Sequence, residues 1–235
     1  MTPRTPAARL VSSLPAPVRW RARNAIALAR WLRRRAFEGT PPDSYDAAFW
    51  DFHAGGDWQG FADVLLRFCS PRSIVDVGCG DGKLLAAVRA LMPDLPVLGI
   101  DSSAAALARA KAAGVAVERH DLDAAAGAGR AALRARIGEF DVSVSLETAE
   151  HLPPWLATPF VDALTAARLV VFSAAQPGQG GTLHMNERPL EYWYARFAAR
   201  GFRPASTDAA FRGAVADLDL PWWYAANVHL FARAA

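Results

Sequence analysis

The sequence predicts an α/β fold in which helices cover both faces of a mainly parallel sheet. Strand-like and helix-like segments alternate beyond Pro71, and such alternation calls for crossover connections between parallel strands. A glycine-rich turn joins the first of these strands directly to a helix, as ligand-binding turns in such sheets do. With 235 residues, 52% hydrophobic and 21% charged, the chain can bury the core that this sheet needs.

The elements follow in order from apolar runs and helical periodicity. Short apolar runs predict strands, and apolar residues three or four apart predict helices. The predicted strands are residues 73–77, 97–100, 115–118, 140–145 and 168–173, one beginning at Phe202, and 227–232. The predicted helices are residues 83–92, 103–113, 158–167 and 191–200, with one or two more within 46–68. The alanine- and glycine-rich residues 124–135 are predicted to form a loop or a short helix.

The N-terminal residues differ from the rest of the chain in charge. Residues 1–37 contain nine arginines and no acid, whereas the remainder carries 17 basic and 23 acidic side chains. We interpret residues 1–40 as a basic arm that forms an amphipathic helix. One face of this helix would carry an apolar stripe: Val18, Ala22, Ala25, Ala29 and Leu32. The stripe could dock on the rest of the chain, or the arm could meet an anionic membrane or nucleic acid.

Residues 41–235 are predicted to form one domain after the break at Thr40-Pro41-Pro42. Within it, residues 41–72 form a helical cap and residues 73–235 the strand–helix core. Only two cysteines occur, which fits neither a disulfide framework nor a zinc site and predicts a reducing, cytoplasmic setting. No uncharged apolar run reaches the length of a membrane-spanning helix.

The strongest motif is IVDVGCGDGKLL, residues 74–85. Glycines allow a tight turn and close approach of a ligand, and the helix that follows offers free N–H donors. The spacing of Gly78, Gly80 and Gly82 differs from the G-x-G-x-x-G turn of dinucleotide-binding proteins. Asp76 would repel a pyrophosphate and attract a cationic ligand. Both features argue against hydride transfer with a nicotinamide.

Acidic residues also follow the next two strands. Asp101 lies 19 residues after Gly82, at a strand end where a carboxylate can accept hydrogen bonds from ribose hydroxyls. Asp121 lies just beyond the third strand, where its side chain or the neighbouring backbone could meet an adenine edge. The pattern therefore indicates a nucleoside-containing ligand with a positive charge.

In this order and spacing, VDVGCGDGKLL, LGIDSS, HDLDA and FDVSVSLETAEHLP resemble the successive motifs of class I S-adenosylmethionine-dependent methyltransferases. The resemblance is closest over residues 73–173. It implies a Rossmann-like, seven-stranded mixed sheet of order 3-2-1-4-5-7-6 with the last strand antiparallel, and S-adenosyl-L-methionine as cofactor. The cofactor-binding residues that it implies are Asp76, Gly78, Cys79, Gly80, Gly82, Asp101, Ser102, Asp121, Leu122 and Glu147.

The segment SLETAEHLPPW follows the fourth strand and carries ligand-type side chains. On a helical turn, Glu147, Glu150 and His151 would point the same way. In the implied sheet, this turn lies at the topological switch point, where open α/β sheets bind ligands. His184, in the loop after the fifth strand, can join them.

Three interpretations of this cluster stay open. In the first, His151 and His184 are catalytic, moving a proton or orienting the acceptor, with Glu147 beside the cofactor. In the second, Glu147, Glu150, His151 and His184 bind a divalent metal such as Mg²⁺. The E-x-x-E-H string is similar to the metal-binding motif of small-RNA 2′-O-methyltransferases and ubiquinone-pathway O-methyltransferases. In the third, the cluster only ties down a loop.

The expected function is methyl transfer to a small-molecule or glycan acceptor, at oxygen. The C-terminal third resembles bacterial small-molecule and glycan-cluster methyltransferases, which implies an acceptor side lined by Gln176, Gln179, His184 and Asn186. The alternative is a metal-dependent RNA 2′-O- or lipid-quinone O-methyltransferase. A nucleic acid partner is disfavoured because the domain without its arm is net acidic. We expect a cytoplasmic protein, with peripheral contact at the inner membrane through the arm.

Overall fold

The computed structural model describes residue 11, residues 13–37, residue 50, residues 55–122 and residues 128–234. The end of the predicted arm at residues 38–40 and most of the predicted cap before residue 55 lie outside this part of the chain. Among the helices described, none combines the length and the apolar character needed to cross a membrane.

Seven strands form one mixed sheet in the order β3-β2-β1-β4-β5-β7-β6, which confirms the predicted Rossmann-like topology. The strands are β1 Ile74–Val77, β2 Val97–Asp101, β3 Val117–Arg119, β4 Val142–Ser145, β5 Leu169–Phe172, β6 Phe202–Pro204 and β7 His229–Arg233. Strands β1 to β5 pair in parallel, and β7 runs antiparallel to both β5 and β6. The carboxyl ends of β1, β2, β4 and β5 therefore meet at one edge of the sheet.

Helices surround this sheet. They are α1 Ala16–Phe37, α2 Trp58–Cys69, α3 Lys83–Leu91, α4 Ala104–Ala112, α5 Ala128–Ile137, α6 Ala157–Leu164, α7 Leu190–Ala198, α8 Asp208–Ala216 and α9 Trp222–Asn227. Residues 128–135 of the alanine-rich segment belong to helix α5, whose Leu133 and Ile137 are buried, whereas residues 124–127 lie outside the described part of the chain. Helices α8 and α9 had no counterpart in the sequence prediction. The predicted strand at 227–232 begins two residues later, because Asn227 ends α9.

Two hydrophobic clusters lie on opposite faces of the sheet. One contains apolar side chains of α2, α3 and α8, and the other contains those of α5, α6 and α7. In β1, Ile74 belongs to the first cluster, while Val75 and Val77 belong to the second. This alternation is what the pleat of a strand requires. Because helices cover both faces, a ligand is expected at the carboxyl ends of the parallel strands, where open α/β sheets bind ligands.

Helix α1 docks on the domain by a different face from the predicted apolar stripe. Asn24 is 7% exposed on the inner face, whereas Val18 and Leu32 of the stripe are 45% and 47% exposed. The Trp31 ring meets the Trp155 ring edge-on at 5.8 Å. The stripe is mostly alanine, which buries little apolar area, so a face with a tryptophan gains more from contact with the domain. Docking by the stripe was therefore wrong.

Candidate active site

The glycine turn joins β1 to α3 in a backbone conformation that glycine adopts readily. The φ angles of Gly78, Gly80 and Gly82 are +83°, +54° and +75°. A Cβ atom at Gly78 would lie 2.2 Å from Thr148 Oγ1, and one at Gly82 would lie 2.7 Å from Ala110 Cβ. The turn therefore needs glycine both for its conformation and for its close packing against the loop after β4.

Asp101, the last residue of β2, directs its carboxylate at this turn. Its Oδ2 atom accepts a hydrogen bond from the Gly80 amide at 2.9 Å, and its Oδ1 atom accepts one from the Ser103 amide at 2.8 Å. Ser102 lies between them in the same loop, and its carbonyl accepts a hydrogen bond from Arg119. Because each carboxylate oxygen can accept two hydrogen bonds, Asp101 can hold the turn and a pair of ligand hydroxyls together.

Two acidic protons are retained beneath the turn at neutral pH. Burial, and then the charge of Asp101, raises the pKa of Asp76 to about 8. The pKa of the Cys79 thiol is raised well above its usual value by burial and by the charges of Asp76 and Asp101. Cys79 therefore stays a thiol and is unsuited to act as a nucleophile. A positively charged ligand beside the turn would favour the ionised form of Asp76.

The segment after β3 lies beside Asp101. The His120 amide donates a hydrogen bond to the Asp101 carbonyl at 2.9 Å, and Asp121 and Leu122 follow, both half-buried. The His120 Nε2 atom is buried and makes no hydrogen bond with the part of the chain that is described. The glycine turn, Asp101 and Asp121 thus occupy the ends of three neighbouring strands, as a bound adenosine would require.

Glu147 follows β4 in a strained conformation that orients its carboxylate. Its φ of +49° lies in the left-handed region, which residues with a side chain seldom adopt. Its Oε1 atom accepts a hydrogen bond from Asn227 at 3.1 Å, and its Oε2 atom accepts one from Gln179 at 2.8 Å. Burial raises the pKa of Glu147, while these hydrogen bonds oppose the rise. Glu147 thereby connects the loops after β4 and β5 with α9.

Glu150, His151 and His184 come together beside Glu147. One ligand-type atom of each lies within 4.8 Å of the others, and the two imidazole rings meet edge-on at 4.8 Å. Glu150 is fully buried, and neither of its carboxylate oxygens accepts a hydrogen bond from the residues described. Burial and then the charge of Glu147 raise its pKa well above the usual value. A proton or a cation would stabilise such a carboxyl group.

Glu147, the fourth predicted metal ligand, is not part of this close group. Each of its two carboxylate oxygens accepts one hydrogen bond from a side-chain amide, that of Gln179 or of Asn227. The structure thus brings three of the four predicted ligands together and holds the fourth beside them.

Glu187 fixes the orientation of His184. The Glu187 carboxylate lies 3.1 Å from His184 Nδ1 and also accepts hydrogen bonds from the amides of Gly178 and Gly180 at 2.9 and 2.8 Å. Although burial opposes it, the hydrogen bonds from His184 and from both amides lower the pKa of Glu187. An ionised Glu187 holds the proton on Nδ1, which leaves Nε2 as the basic nitrogen.

Helix α1 supports the same loop from outside the domain. When its amide is oriented to satisfy both neighbours, Asn24 donates to the His184 carbonyl at 3.2 Å and accepts from the Glu187 amide at 3.0 Å. Arg23 donates to the Gly178 carbonyl at 3.3 Å. The arm is therefore part of the scaffold of this site.

Several residues that contact the site were not predicted from the sequence. Glu187 follows His184 by three residues, a spacing that could have identified it, but Asn24 and Asn227 are remote in sequence and carried no signal. The ring of Trp50 also packs on Gly80, at the place where a Cβ would lie. Conversely, Asn186 was expected on the acceptor side. It is fully buried, and its side-chain amide donates a hydrogen bond to the Ala149 carbonyl.

Comparison with protein families identifies the central part of the chain. Residues 75–168 match the family model described as a methyltransferase domain. The matched segment contains the glycine turn, Asp101 and the Glu147–His151 loop. No curated protein matches the sequence of the chain.

Solved structures share the fold at low identity. One is the magnesium protoporphyrin IX methyltransferase ChlM of Synechocystis PCC 6803, with bound S-adenosylhomocysteine; it is 16% identical over 90% of this chain and 96% of its own, with a TM-score of 0.53. Another is the amino pentose methyltransferase CalS10 of Micromonospora echinaspora, which is 18% identical over 82% of this chain and 99% of its own, with a TM-score of 0.54. A third is the sugar N-methyltransferase KedS8 of Streptoalloteichus sp ATCC 53650, which is 16% identical over 80% of this chain and 92% of its own, with a TM-score of 0.51.

Proposed function

We propose that this chain, which is a class I S-adenosyl-L-methionine-dependent methyltransferase, transfers a methyl group to an oxygen of a small-molecule or glycan acceptor. The observation that carries the proposal is the approach of Glu150, His151 and His184 at the carboxyl ends of β4 and β5. An imidazole at this position can remove the proton of an acceptor hydroxyl. The sugar substrates named for KedS8 and CalS10 support a sugar acceptor, while the choice of oxygen rests on the histidines, since KedS8 is named as an N-methyltransferase.

The acidic strand ends fit the cofactor S-adenosyl-L-methionine, which supplies an electrophilic methyl group when bound. We assign the ribose hydroxyls to Asp101, with Ser102 beside them, and the adenine to Asp121 and Leu122. Asp76 and the turn at residues 78–82, including Cys79, face the methionine part. Glu147 lies on the acceptor side of the same pocket. The fit rests on charge, since Asp76, buried beside Asp101, would favour a cation and disfavour a pyrophosphate.

The proposed chemistry of the protein is to hold the acceptor and move its proton. Glu187 keeps the Nδ1 proton of His184, so Nε2 can accept the proton of the acceptor hydroxyl. His151, edge-on to His184, orients the acceptor or shares the proton. His151 and His184 are half-buried in the loops after β4 and β5, which limits the directions from which an acceptor can approach.

The first experiment measures product formation. The full chain is incubated with the cofactor and a panel of hydroxylated sugars, amino sugars and phenols, and release of S-adenosylhomocysteine is followed. We expect turnover with a hydroxyl-bearing acceptor, and fragment masses that locate the methyl group on oxygen. A methyl group found on nitrogen would refute the oxygen assignment while leaving the activity intact.

A metal-dependent reaction is the second candidate, and it is favoured by the Glu150 carboxylate, which accepts no hydrogen bond from the described residues. Here Glu150, His151 and His184, with Glu147 beside them, would bind Mg²⁺, and the acceptor would be an RNA 2′-hydroxyl or a lipid quinone. The carboxylate ligands suit Mg²⁺, whereas the two imidazoles suit a divalent transition metal better; either ion would lower the pKa of a bound hydroxyl.

Calorimetry with Mg²⁺ alone separates the two candidates. Under metal dependence, the full chain binds one ion, and Glu150→Gln abolishes binding because the amide removes the negative charge. Asp162→Gln serves as the control, since this carboxylate lies on α6 and pairs with Arg134 and Arg200. Absence of binding, together with full turnover in a chelator, would leave proton transfer by the histidines.

The raised pKa of Asp76 predicts that cofactor binding depends on pH. Asp76 is protonated below about pH 8 in the free protein, and a positively charged ligand favours its ionised form. Binding therefore releases a proton, and the affinity for S-adenosyl-L-methionine, whose sulfonium carries the positive charge, should rise by up to about tenfold per unit between about pH 6 and pH 8. In Asp76→Asn the profile should be flat. Titration calorimetry at several pH values measures it, and a steep profile in the variant would contradict the role of Asp76.

We also propose a cytoplasmic setting with peripheral contact at the inner membrane through the basic arm. Cys69 and Cys79 form no disulfide, as is usual for proteins of reducing compartments. The concentration of arginines in the arm supports contact with an anionic surface.

A further inference from the structure

The outward face of α1 combines an apolar stripe with flanking arginines. The stripe consists of side chains three or four residues apart that are exposed or half-buried: Val18, Ala22, Ala25, Ala29, Leu32 and Ala36. Arg21 lies on one flank of the stripe and Arg33 on the other, at helical positions about 60° from its middle. We call the stripe and these flanks the arm surface.

The charge of α1 is of one sign only. The helix contains seven arginines and no acidic residue, with Arg34 and Arg35 in its last turn. Arg21, Arg30 and Arg33 are exposed. A helix of this length with an apolar stripe and arginine flanks is suited to lie in the plane of a lipid interface.

Aromatic side chains extend this surface towards the site. Phe37, at the end of α1, is 83% exposed, and Trp155 is 53% exposed. Trp155 contacts Trp31 on α1 and follows His151 by four residues. Tryptophan at the edge of an apolar patch is typical of membrane interfaces, where its ring meets the headgroups.

We propose that the arm surface docks on a bilayer containing anionic lipids. The arginines match the negative headgroups, and the stripe with Phe37 enters the apolar boundary beneath them. RNA is the less suitable partner, because phosphate contacts would leave the apolar stripe in water. The helix is held to the loop of His184 by Asn24 and Arg23, so docking would also set the orientation of the acceptor side to the membrane.

The peripheral membrane contact included in the proposed function is thereby assigned to the arm surface and to anionic lipids. It rests on the proposed function only where it concerns delivery of the acceptor. Vesicle binding and methyl transfer are measured separately, so either can fail without the other.

Flotation of the full chain with lipid vesicles tests the proposal. The vesicles contain phosphatidylcholine alone or phosphatidylcholine mixed with phosphatidylglycerol. We expect the protein to float with the anionic vesicles, to stay unbound with neutral ones, and to be released by high salt, which screens the headgroups. Absence of flotation with anionic vesicles would overturn the proposal.

Two variants address the two parts of the arm surface. Arg21→Glu/Arg30→Glu reverses two exposed charges of α1, of which Arg21 flanks the stripe, and Leu32→Asp places a charge within the stripe. Each should reduce the bound fraction at least about tenfold. The control Arg67→Glu/Arg130→Glu changes the net charge equally at exposed positions of α2 and α5 and should bind as the unaltered protein does. Equal flotation of all variants would contradict the assignment to α1.

Binding of S-adenosylhomocysteine by each variant checks that the domain remains folded. A gel-shift with single-stranded RNA is run in parallel. RNA binding that Arg21→Glu/Arg30→Glu removes, without vesicle binding by the unaltered protein, would overturn the lipid proposal and assign the arm surface to nucleic acid.

Discussion

Replacement of Asp101 by asparagine should weaken binding of S-adenosylhomocysteine by about 100-fold or more. The carboxylate is proposed to accept the ribose hydroxyls while it holds the amides of Gly80 and Ser103. Asparagine keeps the shape of the side chain but removes its charge. One carboxylate oxygen is replaced by an NH₂ group, which would face the backbone N–H of Gly80 or Ser103 and could not accept its hydrogen bond. Loss of charge-assisted hydrogen bonds worth about 3 kcal/mol together corresponds to roughly this factor. Titration calorimetry on the full chain measures it.

Asp94→Asn is the matched control for this experiment. Asp94 is exposed in the turn before β2, so the same chemical change takes place at the opposite end of the same strand. We expect its affinity to equal that of the unaltered protein. An Asp101→Asn variant that binds normally would contradict the position assigned to the ribose.

Replacement of His184 by alanine should lower turnover by about 10²–10⁴-fold, the usual contribution of a positioned proton acceptor. Cofactor affinity should change little, because His184 lies on the acceptor side of the proposed pocket. Glu187→Gln should give a smaller loss, since the imidazole remains but its Nδ1 proton is no longer held by a carboxylate. Turnover at saturating cofactor and acceptor measures both effects.

Glu191→Gln provides the control, because Glu191 is exposed in the first turn of α7 while Glu187 is buried nearby in sequence. Its turnover should be unchanged. If His184→Ala retained normal turnover, the cluster of Glu150, His151 and His184 would have a structural role only. An equal loss of cofactor binding in His184→Ala would instead indicate a collapsed loop.

The central sheet was predictable because its signals are local. The apolar run of β1, the glycines after it and Asp101 at the end of β2 lie in order within residues 73–101, and each residue type is dictated by its own backbone position. The apolar signal of β3 was weaker because this strand is partly exposed, and the strand begins at Val117, two residues later than predicted. Short helices such as α9, with six residues, are too brief for periodicity to reveal.

The side chains that complete the site were not predictable in this way. Asn24, Gln179 and Asn227 come from segments far apart in the chain, and they reach the loops around Glu147 and His184 only after the sheet has formed. The face by which α1 docks was equally hidden. Its periodicity reveals two faces, but which one gains more by burial depends on the surface that receives it.

By itself, therefore, the sequence determined the alternation of strands and helices, the cofactor turn and the presence of a glutamate–histidine cluster after β4, because glycine spacing and apolar runs act through local backbone preferences. The order of the strands in the sheet was implied by the resemblance to a methyltransferase family. Only the tertiary structure decided that Glu150 is buried without a hydrogen-bond donor among the described residues, that Glu187 holds His184, and that the arm supports their loop. Burial and electrostatic coupling are properties of what surrounds a group, and that environment exists only in the folded chain.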